Sequence, residues 1–181
     1  CDDDKVYDPS WAQRFIQAAE ERPGHAICEE GGHLKMPNYA ENDWTSDRIP
    51  QAQFLNKNFL YRVKRAVSLG KWKPSKGTSS GYVDILEGWG GVLVRPEFFD
   101  QLSFEIPEIL WTVDDVWLSG CLERCGVPIW LNVKNKVRAS ANSNEIKDAA
   151  LRNFVYNGYG CVAANRACIK YFQETYRIWG G

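Results

Sequence analysis

Cys1-Asp2-Asp3-Asp4-Lys5-Val6-Tyr7-Asp8-Pro9-Ser10-Trp11 is the stretch from which the architecture of this chain is expected. Three consecutive carboxylates repel one another unless a cation or hydrogen-bond donors relieve them. Just downstream, Asp8 suits a helix cap and Pro9 the first helical position. Trp11, Phe15, Ala18 and Ala19 then recur at helical spacing until Pro23-Gly24 stops the helix. The first residues read as the end of a buried strand, which puts the acidic run between a strand and a helix. Open α/β sheets bind ligands at that place, the carboxyl end of a strand.

Working outward, Ala26-Ile27-Cys28 reads as a short strand and residues 29–50 as a polar loop. Residues 53–69 have helical spacing through Phe54, Phe59, Leu60, Val63 and Val67. From 57 to 76 there are seven basic residues and no acidic one, either a solvated face or a surface for a pyrophosphate, a polyanionic acceptor or an anionic lipid head group. Residues 82–86 read as a strand, Glu87-Gly88-Trp89-Gly90-Gly91 as a tight segment, and Val92-Leu93-Val94 as another strand. Glycines beside Trp89 serve either a turn or a close backbone approach to a ligand. Pro96 opens a short helix through Phe98 and Phe99. Asp114 or Asp115 opens an amphipathic helix through Leu118 and Leu122 that closes at Gly126, and 128–131 reads as a strand. From 145 onward the tail reads as one or two helices, split near Asn157-Gly158-Tyr159-Gly160.

At 181 residues the chain is expected to form a single domain. Its net charge of −1 and 25% charged residues argue against a nucleic-acid partner. No apolar run approaches the length of a membrane span. The six cysteines lack CxxC pairs and only two histidines are present, so buried free thiols are expected in place of a zinc site. The expected setting is cytoplasmic, with peripheral membrane contact through 57–76 added to it and the secretory lumen as the alternative.

The acidic clusters carry the chemistry. Oxygen ligands in a run such as Asp2-Asp3-Asp4 suit Mg²⁺ or Mn²⁺, and Mg²⁺ is commonly shared between carboxylates and substrate phosphates. A second pair, Asp114-Asp115, can supply a proton acceptor. Capping of a helix N-terminus explains that pair equally well.

Three segments together resemble a known group. Cys1 to Tyr7 resembles the DxD segment of metal-dependent glycosyltransferases of the GT-A fold. Gly88-Trp89-Gly90-Gly91-Val92-Leu93-Val94 resembles their glycine-aromatic acceptor segment, and Asp114-Asp115-Val116-Trp117-Leu118-Ser119-Gly120 the acidic motif of inverting beta-1,3-glycosyltransferase and fringe-like members. The resemblance spans residues 1 to about 135 and keeps the family's order. It implies a Rossmann-like mixed sheet flanked by helices, with the chain forming the C-terminal part of a longer domain and a nucleotide-binding segment expected in front of Cys1. It implies Mn²⁺ or Mg²⁺ on Asp4, with Asp2 as a further ligand. Asp2, Asp3, Gly90 and Gly91 would meet the donor, a UDP-sugar in preference to a GDP-sugar. Trp89 and Trp117 would meet a glycan or lipid-linked acceptor, Asp115 would be the general base, and Asp114 would orient substrate. The histidine that many members place late in the chain has no counterpart, since His25 and His33 come early. A nucleotidyl or phosphoryl transferase would also pair Asp with a divalent metal, but no GxxxxGK loop is present. A non-catalytic carbohydrate-binding protein or an inactive transferase remnant is the non-enzymatic alternative.

Overall fold

A computed structural model describes residues 5–39, 44–69, 71–72, 74–137, 140–141 and 160–180. The fold is mixed α/β. At its centre lies a four-stranded mixed sheet in the order β6 (Gly81–Val83), β9 (Ile129–Leu131), β2 (Ala26–Cys28), β8 (Val92–Leu93). β2 runs parallel to β9, with Ile27 opposite Trp130, and antiparallel to β8. β6 runs antiparallel to β9. All three residues of β2 and of β9 are buried, as expected of central strands covered on both faces. Three two-stranded pairings surround the sheet: β1 (Lys5–Val6) with β10 (Ser140–Ala141), β3 (Gly31–Gly32) with β7 (Ile85–Leu86), and β4 (Gln53–Phe54) with β5 (Gly77–Ser79).

Among the described residues there are four α-helices: α1 (Trp11–Glu21), α2 (Phe59–Val67), α3 (Asp114–Arg124) and α4 (Cys161–Tyr176). None is long and apolar enough to cross a membrane. α1 covers the sheet through Phe15 and Ala18, which pack with Ile27 and Trp130. α3 and α4 form the second core layer, where Val116, Trp117, Cys121, Cys168, Ile169, Phe172 and Trp179 cluster. Their close approach depends on Gly120: a Cβ there would lie 2.3 Å from the Phe172 ring. Gly126, in the left-handed region at φ +73°, follows α3 as expected.

Several expectations are corrected. α1 begins at Trp11, so Pro9 lies outside it. The Asp8 carboxylate instead folds the preceding turn, accepting the Ser10 backbone N–H at 3.1 Å and the Ser10 hydroxyl at 2.5 Å. Residues 29–34 are not a polar loop but are buried throughout. Glu29 is buried because the Arg14 guanidinium donates to it at 2.6 and 3.1 Å, and Glu30 because Lys136 pairs with it at 2.5 Å. The helix expected from 53 starts only at Phe59, where the Asn58 side chain accepts the Tyr61 N–H at 3.0 Å; Phe54 sits on a strand. α3 is buried over most of its circumference, not on one stripe. Cys28, Cys121 and Cys168 are buried free thiols as expected, whereas Cys125 is exposed. Of the tail expected from 145 onward, α4 supplies one helix, and residues 145–159, which include most of the expected split, lie outside the described residues.

Candidate active site

The site grows from the first turn of α3. Asp115 is half-buried there, while Asp114 beside it is exposed. The Ser119 hydroxyl donates to the Asp115 carbonyl at 2.6 Å and accepts the Leu86 N–H at 3.0 Å, which locks this turn of the helix to β7. Immediately after β7 the chain makes a 3₁₀ turn, Gly88–Gly90. The Gly88 N–H donates to Asp115 Oδ1 at 2.8 Å. A Cβ on residue 88 would stand only 2.9 Å from that oxygen, so glycine allows the backbone to meet the carboxylate. Two of the three acidic or glycine-aromatic segments, 27 residues apart, thus meet through a direct hydrogen bond.

Glu87 organises the turn. Its carboxylate accepts the Trp89 indole N–H at 3.0 Å and the Tyr39 hydroxyl at 2.7 Å, and the Lys76 ammonium closes on the same oxygen as Tyr39. This fixes the direction of the Trp89 ring. Burial, and then the Glu87 charge, push the Tyr39 phenol far above its ordinary range, so it stays a hydrogen-bond donor at all physiological pH. Glu87 also reaches back through its N–H to the Glu30 carbonyl at 3.0 Å. Burial raises the Glu30 pKa; the neighbouring Lys136 charge opposes this without cancelling it. Burial, and after it the Asp115 charge, raise the Cys161 thiol.

The N-terminal segment arrives on the other side of the turn. Tyr7 donates its hydroxyl to the Trp89 carbonyl at 3.0 Å, and the Trp11 indole N–H donates to the Gly90 carbonyl at 3.1 Å. The two rings lie 4.5 Å apart. Arg14 secures the same region with a two-pronged bond to Asp8, 2.8 Å on each oxygen. That guanidinium, and then the Ser10 hydroxyl, hold the Asp8 carboxyl well below the usual carboxylate range.

Of the residues expected at the site, Asp115 and Trp89 are brought together and Asp114 stands exposed beside them. Gly90 and Gly91 lie in the same turn and are both buried. A Cβ on Gly90 would sit 2.5 Å from the Glu30 side chain, and one on Gly91, at φ +93°, 2.3 Å from the Trp11 ring. The protein's own packing is enough to require glycine at both positions. Trp117 is corrected: it is 4% exposed, donates its N–H to the Ser103 carbonyl at 2.9 Å and packs on Phe172, so no acceptor sugar reaches it. Asp2, Asp3 and Asp4 lie outside the described residues. Tyr7, Glu30, Tyr39, Lys76 and Glu87 were not expected here. The Glu immediately before the Gly-Trp-Gly-Gly run was the one signal of them in the sequence.

Among the described residues no group of three or more His, Cys, Asp or Glu side chains is arranged to hold a metal ion. His33 is engaged within the fold, with Nε2 3.0 Å from the Ala52 carbonyl and Nδ1 3.4 Å from the Asp84 carboxylate. The donor set of the acidic run, all carboxylate oxygen, has the chemistry that hard divalent cations require. Comparison with known proteins finds no family model, no curated protein and no solved structure that matches this chain.

Proposed function

We propose that this chain acts as a GT-A-type glycosyltransferase that moves a sugar, with inversion, from a nucleoside diphosphate donor to an acceptor hydroxyl. The observation that carries this reading is the hydrogen bond from the Gly88 N–H to Asp115 Oδ1, beside a Trp89 ring aimed by Glu87. The bond from Tyr7 to the Trp89 carbonyl adds to it. Asp4 is three residues before Tyr7 in the sequence and Asp2 five, and an extended chain spans at most about 3.6 Å per residue, so covalent connectivity alone keeps their Cα atoms within about 11 and 18 Å of that of Tyr7.

The chemistry follows from these groups. Asp115 accepts the proton of the acceptor hydroxyl on its carboxylate. The acceptor oxygen then bonds to the anomeric carbon as the bond from that carbon to the diphosphate oxygen breaks, with inversion, and the nucleoside diphosphate departs. Trp89 offers an aromatic face to a sugar ring. Asp114, exposed at the start of α3, orients substrate. Asp4 with Asp2 would hold Mn²⁺ or Mg²⁺, which would supply positive charge against the charge that develops on the leaving diphosphate. A UDP-sugar donor and a glycan or lipid-linked acceptor fit this reading. The five described cysteines are all free, which suits a reducing, cytoplasmic setting.

Calorimetry of UDP binding with and without Mn²⁺ tests the donor side. Binding that needs Mn²⁺ and disappears in Asp4→Asn, with the melting temperature unchanged, is the expected result. Affinity indifferent to both the metal and the substitution would overturn the assignment and leave a carbohydrate-binding protein.

A further inference from the structure

We propose that α2 is a docking helix that lies on an anionic lipid surface. None of its nine residues is buried, and its apolar side chains point away from the protein. Phe59 is 80% exposed, Leu60 58%, Val63 39% and Val67 80%, and Leu69 just beyond the helix is 86% exposed. At about 100° per residue, Phe59, Val63, Val67 and Leu60 fall within one arc of roughly 100°. Away from that arc, the Tyr61 ring lies 5.4 Å from Trp72, and the Lys64 ammonium stands 5.8 Å from the same ring. A helix of a globular protein ordinarily turns its apolar arc inward. Here that arc faces out.

Charge selects the occupant. The seven basic residues between 57 and 76, with no acidic residue among them, stand in a chain whose net charge is −1. A second copy of this chain would bring two such faces together and repel. An anionic bilayer offers apolar depth for the arc and negative charge for its flanks. Lys64 and Arg62 flank the arc on its two sides, about 40° and 60° beyond its ends at 100° per residue, where they can meet negative charge while the arc enters the apolar layer. At about 1.5 Å per residue α2 is far too short to span a bilayer, so it lies in the interface. The same stretch ends at Lys76, whose ammonium pairs with Glu87, so a docked helix would hold the candidate active site beside the membrane. The docking itself does not depend on what that site catalyses.

The test is co-sedimentation of the full chain, without any substrate, with vesicles of phosphatidylcholine alone or mixed with phosphatidylglycerol. The protein should pellet only with the mixed vesicles and be released by added salt. Phe59→Ser with Val67→Ser should weaken binding about tenfold or more at unchanged charge. Arg62→Gln with Arg65→Gln should weaken it about 25-fold, at roughly fivefold per basic residue. All four positions are exposed, and an unchanged melting temperature will confirm that each variant folds. Equal binding to both vesicle types would overturn the proposal, as would full binding by the serine variant, which would mean charge adsorption alone. A dimer in light scattering that the serine variant dissolves would assign the arc to a second copy.

Discussion

Replacing Lys136 by Met should make the stability of this protein strongly dependent on pH. The side chains of Lys136 and Glu30 are 4% and 2% exposed and 2.5 Å apart. Without the ammonium, a buried carboxylate is left uncompensated, a change that costs about 3–5 kcal/mol in comparable sites. Glu30 has one escape, which is to take up a proton. Its pKa is already raised by burial, and the Lys136 charge is the largest influence opposing that rise. A group whose folded pKa is raised contributes stability that is present at low pH and is lost as pH rises through the folded value. In the wild type that loss stops once Glu30 ionises. In Lys136→Met it continues to higher pH, so the gap between the two proteins opens upward. Keeping a carboxyl of ordinary pKa 4.5 protonated costs about 1.4 kcal/mol per pH unit, so this source amounts to at most about 3.4 kcal/mol near pH 7 and about 0.7 near pH 5. For a chain of this size that corresponds to a drop of roughly 7–14 °C near pH 7. Thermal unfolding at both pH values measures it, and Glu30→Gln added to Lys136→Met should remove most of the pH dependence. The same destabilisation at both pH values, or less than about 1 kcal/mol near pH 7, would refute the reasoning.

Two further substitutions separate packing from ligand contact. Gly91→Ala combines φ +93° with a Cβ 2.3 Å from the Trp11 ring and should lower unfolding stability by about 2–5 kcal/mol; an unchanged urea midpoint would mean that the turn has room for a side chain. Trp117→Phe removes the indole N–H from the Ser103 carbonyl and should cost about 1–3 kcal/mol without altering nucleotide or sugar affinity. Lost sugar binding at an unchanged melting temperature would return Trp117 to the acceptor site.

The central strands were legible because short apolar runs bounded by Gly and Pro leave few alternatives, as at Ala26–Cys28 and Ile129–Leu131. The start and stop of α3 were legible for the same local reason. Burial of Glu29 and Glu30 was not, because their partners Arg14 and Lys136 lie 15 residues before and 106 residues after them. Glu87 escaped notice likewise, since Tyr39 meets it across 48 residues and no local pattern records that. Helical spacing placed Phe59, Val63 and Val67 on one face of α2, but periodicity carries no information about whether a face turns inward. Trp89 and Trp117 each sit in a motif, and only burial separates the half-buried ring from the core one.

Transfer by Asp115→Asn tests the account's central claim most directly. The amide oxygen can still accept the Gly88 N–H, so melting temperature and UDP affinity should match the wild type. An amide has no basicity suited to deprotonating an acceptor hydroxyl, so transfer from a labelled UDP-sugar, measured in a single turnover, should fall by about 10²–10⁴. Transfer by Asp115→Asn at near the wild-type rate would contradict the account, and loss of transfer in Asp114→Asn alone would move the base by one residue.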